Sequence, residues 1–180
     1  MNGLLLFFLV QKLIIVVNLC KPGSMKYKYY TAVYTADDLS RFEFVSLGKK
    51  GMIRKRIEFA KTDVKGIYNL AFGNIGAENR LEDDTITDNG DRDMILATLA
   101  EAIDKYTQRY PRRWIYFSGN TPAKTRLYRM AIGLNLGELL KKFEIYADVE
   151  HEEDFIPFQR NMVLEGFLIR RRVIFQQGSI

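Results

Sequence analysis

Three segments early in the chain constrain the fold most, because they carry the side-chain pattern of β-strands. Residues 41–47 alternate apolar and charged side chains, residues 52–59 repeat the pattern, and a third apolar segment follows at 66–72. Alternation of this kind places apolar side chains on one face of a strand and polar side chains on the other. Together with a strand predicted at Lys26–Tyr34, the segments indicate an antiparallel meander of about four strands with short connections.

The side-chain spacing changes to that of a helix after a long acidic loop at residues 73–90. Apolar side chains recur at helical spacing from Ile95 to Tyr106. We therefore predict a long helix that Asn89 or Asp91 caps and that ends at about residue 109, before a proline. The loop itself is unusually long for a compact domain, and such loops are often functional.

Two strands and a second helix are predicted beyond the long helix. Residues 114–117 (WIYF) are continuously apolar, which is typical of a central strand. Thr121 and Pro122 have the character of a helix cap and a first helical residue. Glycines at 133 and 137 indicate a break in that helix, and residues 143–149 alternate as a strand does.

These elements predict an α+β fold with a single layer of helices on a mostly antiparallel sheet. Its order is a meander of about four strands, a long helix, a central strand, a second helix and further strands. By composition the chain divides into a hydrophobic leader at 1–24, an α+β domain at 25–150 and a C-terminal extension at 151–180.

The leader is open to three interpretations. Residues 4–17 are apolar except for Gln11 and Lys12, so the segment is short and interrupted for a membrane anchor. A secretion signal would have a charged start and a small-residue cleavage site, which are missing here. The third interpretation is a natural start at Met25, with the upstream residues dispensable. We expect a cytoplasmic protein, or a membrane-anchored one if the leader is an anchor.

Scarce cysteine and histidine exclude several classes of site. Cys20 is the only cysteine and precedes the domain, and His151 is the only histidine and lies in an acidic linker. Intramolecular disulfides, cysteine-based zinc sites and Cys–His pairs are therefore excluded. The nucleophile elbow, the phosphate-binding loop and the zinc-protease motif are missing, and the acids of residues 88–93 do not have calcium-loop spacing. We predict no metal and no cofactor, and the sequence leans against an enzyme.

Basic side chains suggest a binding surface. The net charge is +5, which is a mild excess. Arg54 and Arg56 share one face of a predicted strand, and Arg126 and Arg129 lie on the predicted second helix. Guanidinium groups arranged in such a stripe can bind successive phosphate groups of a nucleic-acid backbone. The first hypothesis is therefore a non-enzymatic module that binds a protein partner or nucleic acid, and a homo-oligomer is compatible with the sequence.

Two stretches resemble an uncharacterised domain family found mainly in Bacteroidetes-type bacteria. One is Asp88-Asn89-Gly90-Asp91 with the MILATLAEAIDKYTQRYP that follows, and the other is Ser118-Gly119-Asn120-Thr121 with PAKTRLYRMAI. With the opening KYKYYTAVY, the resemblance covers about Met25–Val149. The family has no assigned activity, so it implies kinship and a start at Met25. A component of a toxin–antitoxin system is a further alternative.

A second resemblance concerns the GCN5-related acetyltransferase fold. The order of elements is similar, and Asn120, Ala123, Leu127, Tyr128 and Gly133 resemble that family's N-x-x-A-x-x-L-Y-x-x-x-G-F segment. This chain has one extra residue before the Leu-Tyr pair and another after it, and it lacks the pyrophosphate loop. The resemblance implies acetyl-CoA as donor and Tyr128 as the general acid. A cleft between splayed central strands would favour this alternative, and a closed sheet would remove it.

Overall fold

The structure is a computed structural model that describes residues 28–83 and 88–173. The leader, Cys20 and the start predicted at Met25 lie outside the described residues. The described part of the chain contains no helix that is long and apolar enough to cross a membrane.

The described residues form nine strands, three α-helices and one short 3₁₀ turn at Ala77–Asn79. The strands are β1 (Tyr34–Thr35), β2 (Arg41–Gly48), β3 (Gly51–Lys61), β4 (Ile67–Ile75), β5 (Leu81–Glu82), β6 (Trp114–Ser118), β7 (Phe143–Asp148), β8 (Ile156–Pro157) and β9 (Gly166–Arg171). The helices are α1 (Arg92–Arg109), α2 (Pro122–Leu134) and α3 (Leu136–Lys142).

All nine strands belong to one mixed sheet. Its order is β1-β2-β3-β4-β6-β9-β7-β8, and β5 pairs with the far end of β4. Only β4 and β6 run parallel, because α1 connects them as a crossover. The predicted α+β class, the order of strands and helices and the central position of WIYF are confirmed.

The core lies between the three helices and one face of the sheet. Alternate residues of each strand supply it, as Phe42 and Phe44 do from β2. Tyr106 of α1 is fully buried, and its ring stacks on Phe59 of β3 with a centroid distance of 3.9 Å. The stacking of Tyr106 on Phe59 therefore fixes the position of α1 above the sheet.

The first predicted strand is much shorter than expected. Only Tyr34 and Thr35 pair with β2. The residues before them turn toward α1: the Tyr30 amide donates to Thr98 Oγ1 at 3.0 Å, and the Tyr30 ring stacks on Phe44 at 5.4 Å. The stacking of the Tyr30 ring on β2 and the hydrogen bond to α1 replace strand pairing here.

The helix ends match the predictions in part. The Thr121 hydroxyl accepts a hydrogen bond from the Lys124 amide at 3.3 Å, so the predicted cap of α2 is confirmed. Asp91 occupies the cap position of α1, but its carboxylate accepts from the Tyr30 and Ser46 hydroxyls instead. The break after α2 falls at Asn135, between the two predicted glycines.

The residues after 150 supply a central strand. β9 lies between β6 and β7 and runs to Arg171. Each strand arginine has partners. The Arg170 guanidinium stacks over Trp114 at 4.2 Å and bonds Glu144, and that of Arg171 bonds Asp104 of α1. Residues up to Arg171 therefore belong to the same sheet as the domain.

Candidate functional site

The two parallel strands at the centre of the sheet separate along their length. β4 and β6 pair only through Ile67–Asn69 and Trp114–Tyr116. Beyond these residues β4 continues against β3 as far as Asn74 and pairs with β5 at Asn74 and Ile75, and β6 continues to Ser118 against β9. The carboxyl ends of the two strands therefore leave a gap in the sheet, directly beneath the helical layer.

Backbone groups of β4 face this gap. The Thr62 amide donates to the Ile67 carbonyl at 3.2 Å, so the odd-numbered residues of β4 direct their backbone groups toward β3. The Gly66 carbonyl accepts from the Trp114 amide at 2.9 Å, so the even-numbered residues face the opposite edge. Phe72 is even-numbered and lies past the last pair with β6. β5 pairs with Asn74 and Ile75 on this side of β4, so Phe72 lies between the last pair with β6 and the first pair with β5.

The gap continues into a cavity of about 270 Å³ between the sheet and the helices. Its lining is mostly apolar. The apolar residues that line it include Leu70 and Phe72 of β4, Phe117 of β6, Leu96, Leu99 and Ile103 of α1, and Tyr128, Ala131, Ile132 and Leu139 of α2 and α3.

A second cavity of about 310 Å³ adjoins the first near the start of α1. The lining residues that the two share are Phe72, Asp83, Leu96, Leu99, Lys124 and Tyr128. The second cavity also reaches Lys55 of β3. Together the two spaces form one cleft, which we call the central cleft, with its middle at the carboxyl ends of β4 and β6. In open sheets such strand ends are where ligands bind.

A glycine turn brings α2 to the cleft. The Gly119 amide donates to Thr125 Oγ1 at 3.1 Å, and a Cβ atom at this position would lie 2.2 Å from the Thr125 amide nitrogen. Only glycine permits this close approach. The turn carries Asn120 and Lys124 to the rim, where both side chains donate to the Asp83 carbonyl.

Tyr128 is the ionisable side chain best placed for chemistry in the central cleft. It lines both cavities, and its ring packs edge-on against Phe117 at 5.8 Å. Burial raises the pKa of the Tyr128 hydroxyl above its ordinary value of 10.0. Its phenol therefore stays protonated at neutral pH and can donate a proton.

Sequence reasoning missed Lys55 as an inward-facing residue. It is only 3% exposed, and its Nζ donates to Asn74 Oδ1 at 2.7 Å. Burial lowers the pKa of the Lys55 ammonium. The alternation of β3 contained the signal, because Lys55 shares the parity of the core residues Ile57 and Phe59.

The four predicted binding arginines are not equivalent. The Arg54 side chain is 63% exposed and Arg126 is exposed on α2. In contrast, the Arg56 side chain is 5% exposed, and its guanidinium bonds Glu43 and Asn79. Arg129 donates to the Met162 carbonyl at 2.7 Å. The prediction that Arg54 and Arg56 together form a phosphate-binding stripe is therefore corrected. The 3₁₀ turn covers Arg56, so only Arg54 of this pair is accessible.

Arg56 and Arg54 form a matched pair for a stability test. We expect Arg56→Met to lower the free energy of unfolding by about 3 kcal/mol, because removing one member of a buried ion pair leaves the other uncompensated. Arg54→Met should change it by less than about 0.5 kcal/mol, since that ion pair is largely solvated. Urea unfolding of both variants measures the difference. Equal losses would contradict the structural role of Arg56.

Comparison with known proteins places the chain in a family. The family model for DUF6934, described as a family of unknown function, matches residues 26–172. The chain belongs to DUF6934. The DUF6934 match includes β9, beyond the limit near residue 149 expected from sequence. No curated protein and no solved structure matches the chain.

Proposed function

We propose that the protein is an acyltransferase that takes its acyl group from an acyl-coenzyme A thioester. The gap between β4 and β6 carries this proposal. An extended ligand that contains amide groups can lie in such a gap, between β6 and the short strand β5, and hydrogen-bond to backbone groups of β4, as an added strand pairs with a sheet edge. The arm that bears the thiol in coenzyme A is extended and has two amides.

Tyr128 supplies the proton that the reaction requires. The acceptor's nucleophile attacks the thioester carbonyl and releases its proton to solvent, the carbon–sulfur bond breaks, and the sulfur leaves as a thiolate. A protonated phenol at the gap can donate to this thiolate, and the phenolate regains its proton from solvent. The raised pKa of Tyr128 keeps the phenol protonated between turnovers.

Basic side chains of the second cavity are our candidates for holding the phosphates of the donor, although Asp83, Asp88 and Asp91 line the same cavity. The glycine-rich pyrophosphate loop of the resembled family is missing, so backbone amides of that loop cannot serve. Arg92 at the start of α1 and Lys124 at the start of α2 both line the second cavity. Charge-assisted bonds from these side chains are our proposed replacement.

Nucleic-acid or protein binding through the basic face has weaker support. Only Arg54 and Arg126 of the four predicted arginines are exposed. For that reason we place the function in the cleft.

Thermal unfolding with acetyl-CoA tests the proposal. A ligand at a hundred times its Kd stabilises a protein by about 2.7 kcal/mol, so about 1 mM acetyl-CoA should raise Tm by several degrees. Lys124→Gln should reduce this shift. Lys141→Gln, on the exposed part of α3, is the matched control and should leave it unchanged. A Tm that responds neither to CoA nor to any acyl-CoA thioester would remove the proposal.

A further inference from the structure

We infer that the acyl group of the donor is a hydrocarbon chain of medium length, rather than acetyl. This inference rests on the proposed function and concerns the same cleft. It follows from the shape and lining of the first cavity, which extends far beyond the gap where the thioester would lie.

The first cavity crosses the sheet from β4 to β7. Its floor passes from Phe117 of β6 over Ile169 of β9 to Ile145 of β7, and Ile169 pairs directly with Ile145 in the sheet. Three spacings between neighbouring strands amount to about 14 Å. A two-carbon acyl group in the gap would leave most of this length empty.

Apolar side chains line most of the path on both sides, and Glu101, Asn135 and Glu138 also reach it. Ile103 of α1 forms one wall, and Ala131 and Leu139 of α2 and α3 form the other. Protein interiors keep few voids larger than a water molecule. An apolar space of about 270 Å³ that adjoins a reactive group is typical of a ligand pocket. A flexible alkyl chain fits its elongated form.

Charged groups mark the far end of the cavity. Asp104 of α1 and Lys142 of α3 both line it, and their charged atoms are 4.0 Å apart. An acyl chain long enough to reach Asp104 and Lys142 would have to bury methylene groups against these charges or displace the ion pair. The cavity therefore sets an upper limit on chain length as well as a preference over acetyl.

Binding measured across a series of acyl-CoA thioesters tests the inference. Each methylene that the cavity buries should tighten Kd about fourfold. Octanoyl-CoA should therefore bind at least about a hundredfold more tightly than acetyl-CoA. Palmitoyl-CoA should gain nothing over octanoyl-CoA. Isothermal titration of the full chain with CoA and the three thioesters gives these ratios.

Filling the first cavity should abolish the preference for octanoyl-CoA over acetyl-CoA without disturbing the gap between β4 and β6. Ala131→Phe projects a ring into the path from α2, and Ala100→Phe does so from the opposite wall. Either should bring octanoyl-CoA to the affinity of acetyl-CoA, and unfolding curves identify a variant that fails to fold. Leu140→Phe, on α3 but outside the lining, is the control.

Each outcome has a distinct meaning. Equal affinities for acetyl-CoA and octanoyl-CoA in the unmodified chain would overturn the inference and leave the acyltransferase proposal standing. If both cavity-filling variants still bind octanoyl-CoA more tightly than acetyl-CoA, the inference is also overturned, because the acyl chain must then lie outside the first cavity. If neither CoA nor any thioester binds, the proposed function fails together with the inference.

Discussion

Replacing Tyr128 by Phe is expected to lower the rate of acyl transfer by between about a hundredfold and ten-thousandfold. The substitution keeps the ring that packs against Phe117 and removes only the hydroxyl. The thiolate then leaves without a proton donor, so the loss falls on kcat. Affinity for the acyl-CoA should stay nearly unchanged, because the phenol acts on charge that develops in the transition state.

Steady-state kinetics and calorimetry together check this expectation. Release of free thiol reports kcat, and titration reports Kd. Tyr146→Phe is the matched control, since Tyr146 lies on β7 and its alternation directs it to the sheet face opposite the helices. An unchanged kcat in Tyr128→Phe, or an equal loss in the control, would show that Tyr128 is not the general acid.

Replacing Tyr106 by Ala is expected to lower the free energy of unfolding by about 4 kcal/mol, which is typical for truncating a buried aromatic residue. Tyr106 is fully buried. Its ring stacks on Phe59 at 3.9 Å, and its hydroxyl accepts from Arg113 at 2.8 Å. The truncation leaves a cavity between α1 and the sheet and removes the partner of a guanidinium.

Tyr106→Phe separates these two contributions. It keeps the stacked ring and removes the hydrogen bond, so we expect a loss of about 1 kcal/mol. Urea unfolding monitored by fluorescence gives both values. A loss below about 1 kcal/mol in Tyr106→Ala would mean that α1 is not anchored through this ring.

Local patterns account for most of the predicted fold. The alternation in β2, β3 and β7 and the helical spacing of α1 depend on neighbouring residues in one element, so a single sequence contains them. The predicted first strand was wrong at the described residues before Tyr34 for the opposite reason. Tyr-rich sequence favours a strand, but Tyr30 stacks on Phe44 and bonds Thr98, which are contacts from distant parts of the chain.

The candidate site was predictable only in fragments. The motif comparison singled out Tyr128 and Asn120, and both line the first cavity. The buried position of Arg56 could not be read from its strand, because the turn that covers it comes from residues 77–79. The inward position of Lys55 could have been read from parity, but its charge concealed the pattern.

The sequence by itself determined the α+β class, the order of the elements and the limits of the long helix, because these follow from side-chain periodicity within short segments. The tertiary structure alone decided that β9 lies between β6 and β7, and that β4 and β6 separate after Asn69 and Tyr116. Strand order and the point of separation depend on pairing between residues far apart in the chain. No local pattern records that pairing, and it is the pairing that opens the central cleft.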